Sequence, residues 1–83
     1  MDLKKEENRI YLDDENGKVL AEIEFEKLED NNYNIYHTFV DELLRGQGVA
    51  SKLVEAAVNE IKARGGKVKA TCSYAKAWLE KHK

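Results

Sequence analysis

Arg45-Gly46-Gln47-Gly48-Val49-Ala50-Ser51 is the stretch of this sequence best suited to chemistry. It places two glycines, small residues and one permanent cation at the start of a helical pattern. Small residues there let a ligand come close to the backbone. The first N–H groups of a helix have no internal partner, and the helix dipole adds partial positive charge. Together these make an anion site, most naturally for phosphate, to which Arg45 adds a full charge. Two other side chains could act near neutral pH. Cys72, the single cysteine, ends a short strand pattern. It reads as a nucleophile, as a general acid, or as buried filler. His37 could act as a general base, since imidazole titrates near neutrality. It alternates with Ile35 and Phe39, which also reads as a half-buried structural position. His82 reads as solvated. One Cys and two widely spaced His, with no C-x-x-C pair, point away from a metal site.

The elements that must hold these residues are legible from periodicity. Arg9-Ile10-Tyr11-Leu12 reads as a strand, followed by turn formers ending in Asn16-Gly17, a tight-hairpin signal. From Lys18 to Glu26 the pattern alternates. Val19, Ala21, Ile23 and Phe25 share one face, and Glu22, Glu24 and Glu26 share the other. That acidic row reads as a solvated face with some pull on a cationic amine. After a turn at Glu29-Asp30-Asn31-Asn32, Tyr33 to Val40 is rich in aromatic and β-branched residues and reads as a third strand. The period then changes. Ala50, Leu53, Val54, Ala57, Val58 and Ile61 fall at spacings of three and four, predicting an amphipathic helix that Gly65-Gly66 ends. Lys67 to Cys72 reads as a short strand, and Tyr74 to Lys81 as a second helix anchored by Trp78 and Leu79. The order is β-β-β-α-β-α. It predicts an α/β (α+β) domain over residues 1–83: a mostly antiparallel four-stranded sheet with the long helix across it. Leu53, Val54, Ala57, Val58 and Ile61 should face Val19, Ile23, Phe25, Ile35 and Val68.

Composition removes other classes. The 83 residues are 42% hydrophobic and 36% charged, which excludes disorder as a default and a membrane protein. No apolar run approaches the roughly 20 residues a bilayer needs, and nothing near Met1 resembles a signal peptide. A lone cysteine suits the cytoplasm better than a secreted, disulfide-stapled domain. The net charge of −2 conceals two halves of opposite sign: −8 over residues 1–44, from 13 acids and 5 bases, and +6 over residues 45–83, from 3 acids and 9 bases. Opposed halves fit a basic anion site beside an acidic surface, or mutual attraction between the halves. Three arginines, a pI near 5.7 and no aromatic ladder argue against nucleic acid.

Among phosphate-binding patterns, a Walker loop would need Gly-Lys-Ser/Thr, which is absent. A dinucleotide fingerprint is a near miss at Gly46-x-Gly48-x-x-Ser51, but Lys67-Val68-Lys69-Ala70-Thr71 lacks its ribose-binding acid. Arg45-Gly46-Gln47-Gly48-Val49-Ala50 matches R/Q-x-x-G-x-G/A and resembles the acyl-CoA loop of the GNAT acetyltransferases. The element order resembles the core of that superfamily. His37-Thr38-Phe39-Val40 through Gly48, with Cys72-Ser73-Tyr74, resembles its small single-domain YjdJ-type members, so the likeness covers nearly the whole chain.

The resemblance implies an N-acetyltransferase that uses acetyl-CoA as cosubstrate. The backbone of Thr38, Phe39 and Val40 would run along the pantetheine arm, and an N–H near Phe39 or Val40 would polarise the thioester carbonyl. The pyrophosphate would lie on the N–H groups from Gly46 to Ser51, through Gln47, Gly48, Val49 and Ala50. The thioester would enter a gap between the third and fourth strands, near Cys72, which would there be an acyl-accepting nucleophile, a general acid for the leaving thiolate, or filler, with His37 the candidate to take a proton from the amine. The acceptor would be an amine, with a protein or peptide amine suiting an open cleft. The alternative is a module that binds CoA or acyl-CoA without turnover. The sequence departs from the larger enzymes where they use a tyrosine acid on the last helix: position 79 is Leu79, and Ser73 and Tyr74 are the nearby substitutes.

Overall fold

The computed structural model describes residues 2–82. Five strands lie side by side in chain order: β1 (Lys4–Glu6), β2 (Arg9–Asp13), β3 (Val19–Lys27), β4 (Asn32–Val40) and β5 (Lys67–Ala70). Neighbours are antiparallel except β4 and β5, which are parallel. The helices are α1 (Val49–Ala63) and α2 (Ser73–Lys81). The expected four-stranded sheet is therefore corrected to five. The addition, β1, is exposed throughout and has no apolar alternation; it forms by pairing Lys4, Lys5 and Glu6 with Tyr11, Ile10 and Arg9.

The β2–β3 turn forms where Asn16-Gly17 predicts it. Asp14 fastens it, accepting from the Asn16 and Lys18 amides at 2.9 Å through its carboxylate. The core lies on one side of the sheet. Ile10, Ala21, Ile23, Phe25 and Ile35 are fully buried against Leu53, Val54, Ala57 and Ile61 of α1. Burial of a side chain such as Leu53 contributes about 1.5–3 kcal/mol, and truncation to alanine costs about 2–5 kcal/mol. Val19 and Val68, expected opposite α1, are only half-buried. On α2 the fully buried residue is Ala75, while Trp78 and Leu79 pack at the margin.

Two irregularities in β4 position everything that follows. The first is a bulge. Glu24 pairs with His37 but Phe25 pairs with Ile35, so Tyr36 is the extra residue. A bulge reverses which face later side chains take. Ile35 is buried under α1, whereas His37 and Phe39 point to the uncovered face and are exposed. The expectation that Ile35, His37 and Phe39 share one half-buried face is overturned for this reason. The second is a splay. The parallel ladder runs from Asn32–Lys67 to Ile35–Ala70 and stops. The Thr71 and Cys72 amides both close onto the Ile35 carbonyl, at 3.1 and 3.2 Å. Residues 36–40 continue with β3 on one side and no strand on the other.

Candidate functional site

The segment between β4 and α1 arranges its own amides into an open cradle. Asp41 starts a 3-10 turn over Glu42–Leu44, its carboxylate accepting from the Leu43 amide at 3.0 Å. The Leu44 and Arg45 amides are consumed by Asp41 and Glu42 carbonyls. The next amide bonded within the chain is that of Lys52, which donates to Gly48 at 3.1 Å and opens the helical ladder. Among the described residues, the N–H groups of Gly46 through Ser51 have no intramolecular acceptor. Gly46 and Gly48 have φ of +82° and +73°, the left-handed region that side chains with a Cβ rarely enter. Left-handed Gly48 followed by the right-handed first residue of α1, Val49, is a conformational pair that turns successive amides toward one concavity suited to an anion. A Cβ at either glycine would meet no protein atom within 4 Å, so the space before them is open.

A cavity of about 210 Å³ lies over this cradle, with Val40, Leu44 and Tyr74 completing its walls. Arg45 lines it, exposed and with no carboxylate at ion-pair distance among the described residues. Val49 is nearly fully buried and also lines the cavity, so its side chain anchors the first turn of α1 to the core. Ser51 accepts a hydrogen bond from Trp78 Nε1 at 2.8 Å, tying α2 to the start of α1.

The open edge of β4 leads into the same cavity. The Asp41 amide donates to the Leu20 carbonyl at 2.7 Å, so Asp41 faces β3. Amides alternate sides along a strand. Thr38 and Val40 therefore direct their backbone groups to the open edge, and Phe39 directs its own toward β3. Cys72 stands across the gap from Thr38, Sγ to Oγ1 being 3.3 Å, and is half-buried. Burial pushes this thiol up. The Thr38 hydroxyl and the amides of Ala75, Tyr74 and Thr38 together more than offset that, leaving it below its ordinary value. Cys72 caps α2 without a capping hydrogen bond from its side chain; the nearby amides act by favouring the thiolate.

His37 lies elsewhere. Its Nε2 is 3.5 Å from Glu22 Oε2 on the uncovered face of the sheet, and Glu24 stands close enough for one donor atom of each residue to fall within 4.8 Å. Glu22 is already held by Arg9 Nε at 2.9 Å, and Tyr36 Oη approaches Glu24 at 3.5 Å. The structure thus lines one cavity with Val40, Arg45, Gly46, Gly48, Val49, Ala50 and Ser51 but not with Gln47, pairs Thr38 with Cys72 two residues along β4 from Val40, and sets His37 and Phe39 on the opposite face of the same strand. Sequence reasoning missed Tyr74 as a cavity wall and Thr38 as the thiol's partner. The interval from Tyr74 to Trp78, one helical turn, was the available signal for the first. The second depended on the splay.

Comparison with known proteins places this geometry. The family model described as GCN5-related N-acetyl-transferase matches residues 9–83. No curated protein matches the chain. The solution structure of a GCN5-like candidate N-acetyltransferase from Staphylococcus aureus is 44% identical, with a TM-score of 0.78 over 98% of this chain and 79% of that one. An aminoglycoside acetyltransferase from an uncultured soil metagenomic sample, in complex with sisomicin, is 22% identical with a TM-score of 0.69, over 94% of this chain and 59% of that one. A candidate acetyl transferase from Pyrococcus furiosus is 23% identical with a TM-score of 0.66, over 89% of this chain and 56% of that one. The last two likenesses concern the fold alone, and this chain spans little more than half their length.

Proposed function

The chain belongs to the GCN5-related N-acetyltransferase family, and from that premise we propose that residues 1–83 form one domain that binds acetyl-CoA and transfers its acetyl group to an amine. The observation that carries the reading is the run of unbonded amides from Gly46 to Ser51 at the foot of a cavity continuous with the open edge of β4. In this reading the pyrophosphate of CoA occupies the amide cradle beside Arg45. The pantetheine arm pairs with the Thr38 and Val40 edge as an added strand would. The thioester reaches the gap near Cys72, and the Val40 amide is the donor available to its carbonyl oxygen as charge develops there.

The lowered thiol favours a covalent route. The Cys72 thiolate attacks the carbonyl carbon, the carbon–sulfur bond to CoA breaks, and CoA leaves as its thiolate. The acceptor amine then attacks the acetyl-cysteine, the new carbon–sulfur bond breaks to restore the Cys72 thiolate, and the proton released by the amine passes to the CoA thiolate through water. In this reading His37, on the opposite face of β4 from Cys72, would act as the general base only through intervening water. An open sheet face accommodates a protein or peptide amine as readily as a small one. A free thiol fits a cytoplasmic setting. No helix among the described residues is long and apolar enough to cross a membrane.

A second reading, binding of CoA or acyl-CoA without turnover, is favoured by one observation: Cys72 and His37 are divided between the two faces of β4. Residue-by-residue NMR titration with CoA and acetyl-CoA tests the shared part, and shifts concentrated from Thr38 to Ser51 are expected. Shifts confined to other regions would sink both readings. Acetyl-CoA consumption across a panel of amines, with mass spectrometry for an acetyl group on Cys72, separates them. Binding without consumption selects the second.

A further inference from the structure

The two edges of the sheet are finished differently. At the β1 edge the lysines are paired, Lys4 with Asp13 at 2.8 Å and Lys5 with Glu60 at 3.6 Å. At the opposite edge β5 pairs with β4 alone. The Thr71 amide donates to the Ile35 carbonyl of β4. Backbone groups alternate sides along a strand. Thr71, Lys69 and Lys67 therefore turn theirs toward β4, and Val68 and Ala70 turn theirs outward. No described residue bonds these outward groups. An open run of this kind is a template for an added strand.

Side chains alternate as well. Val68 and Ala70 are half-buried and pack on the core, while Lys67 and Lys69 are exposed on the uncovered face. On the helix side a cavity of about 490 Å³ lies beside the edge. Val58 of α1, Val68 of β5, and Trp78 and Leu79 of α2 give it apolar walls, and Lys62 and Lys67 also line it. No acidic residue does. An added strand would thus meet apolar surface on one of its faces and ammonium groups on the other.

Charge selects the occupant. Lys62, Lys67 and Lys69 have no carboxylate at ion-pair distance among the described residues. A β5–β5 pairing of two copies would set Lys67 and Lys69 against the same two residues, and like charges opposed across strands are unfavourable. A strand with acids on one face and apolar side chains on the other fits both sides of the edge. We propose that the outer edge of β5 and the cavity beside it dock an extended segment of a partner protein in which acidic and apolar side chains alternate. Its backbone bonds Val68 and Ala70, its acids meet Lys67 and Lys69, and its apolar side chains enter the cavity. This surface is independent of the acyl-CoA reading, because its cavity shares no residue with the one over the amide cradle.

The test uses the full chain and a capped synthetic peptide of alternating valine and glutamate, with alternating valine and lysine as its counterpart. Binding should shift the Val68 and Ala70 amide resonances and slow their hydrogen exchange, since both become bonded. Trp78, the only tryptophan, should change its fluorescence. The lysine peptide should bind about tenfold more weakly or less well still. The double variant Lys67→Glu, Lys69→Glu should weaken the glutamate peptide about tenfold and strengthen the lysine peptide. Ala70→Pro removes an outward donor without touching a bond to β4, a change tolerated on an edge strand, and should abolish binding of the glutamate peptide. If that variant does not fold, the charge-reversed pair decides alone. Equal binding of the two peptides, or binding that leaves the Val68 and Ala70 amides unprotected, would overturn the proposal. So would concentration-dependent dimerisation that protects those amides without peptide, which would make a second copy the occupant.

Discussion

The two ends of α1 are built to opposite purposes. At the C-terminal end nearly every polar group is closed. The Arg64 amide donates to the Glu60 and Ile61 carbonyls, Gly65 to Lys62 and Gly66 to Ile61. The Arg64 guanidinium bonds Glu60 at 3.0 Å and the Glu7 carbonyl at 2.7 Å, and lies over the rings of Phe25 and Tyr33. At the N-terminal end the amides from Gly46 to Ser51 are left open around empty space. The glycines divide in the same way. Gly46 and Gly48 would carry a Cβ into open space, whereas a Cβ on Gly66 would lie 2.5 Å from Tyr33 Cδ1. The lesson is that unsatisfied backbone, tolerated only where water or a ligand can reach it, marks the end of the helix at which a binding site is to be sought.

The largest effect that would break this comparison is at Gly48. Gly48→Glu places a carboxylate against the cradle. A like charge facing the pyrophosphate costs several kcal/mol, so CoA affinity should fall by about a hundredfold or more. Because the left-handed φ costs about 1–2 kcal/mol for a side chain with a Cβ, the melting temperature should drop modestly and the fold should survive. Normal CoA binding in isothermal titration calorimetry would show that the phosphates sit elsewhere.

Gly66→Ala acts at the other end and should do the reverse. The methyl group forces the Tyr33 ring to move, and overpacking of this kind costs about 1–3 kcal/mol. For a chain of this size that lowers the melting temperature by about 4–8 °C per kcal/mol. CoA affinity, measured well below the transition, should be unchanged. A large loss of affinity with no thermal cost would mean that the two ends are coupled, against the division described here.

Cys72 sharpens the functional side. Alkylation by iodoacetamide should accelerate at a lower pH than for an ordinary cysteine, since the Thr38 hydroxyl and nearby amides outweigh burial and favour the thiolate. Saturating CoA should slow labelling several-fold by covering the gap. Cys72→Ala should keep CoA affinity and lower any acetyl transfer, and Cys72→Ser, similar in size but far less nucleophilic, should lower it equally. Full transfer by the alanine variant would reduce the thiol to packing.

The contrast between the ends also explains what was legible in the sequence. The glycine-rich cradle was, because Arg45, Gly46 and Gly48 act through backbone conformation and formal charge, which composition and spacing carry. The alternation from Lys18 to Glu26 and the three-four spacing from Ala50 to Ile61 gave their elements for the same reason. The bulge at Tyr36 was not legible. Ile35, His37 and Phe39 alternate as they would in a straight strand, and only pairing with Glu24 and Phe25 shows the extra residue. The Thr38–Cys72 contact and the closure of Arg64 onto Glu7 are likewise long-range outcomes, fixed by how elements meet, whereas β1 is a local hairpin strand whose charged residues carry no apolar alternation.

The smallest effect concerns Glu60, whose position is unfavourable on dipole grounds alone: it is an acid in the last turns of α1, where the helix presents partial negative charge. It is tolerated because Arg64 donates to its carboxylate at 3.0 Å and Lys5 Nζ approaches at 3.6 Å. The Arg64 hydrogen bond, against some desolvation and with help from the charges of Arg64 and Lys5, holds the carboxyl below the usual range. The sign follows from linkage. A carboxyl with a depressed folded-state pKa contributes stability above its unfolded pKa and loses that contribution as pH falls through the folded value. Glu60→Gln should therefore lower the melting temperature slightly at neutral pH, with the difference from the parent chain shrinking as pH falls below the ordinary carboxylate range. High salt should shrink it too, because the pair is accessible to solvent and screened. CoA binding at the far end of α1 should not respond. A difference that grew on acidification would mean that Arg64 closes the helix through Glu7 and the aromatic rings alone, with Glu60 adding only an unfavourable charge.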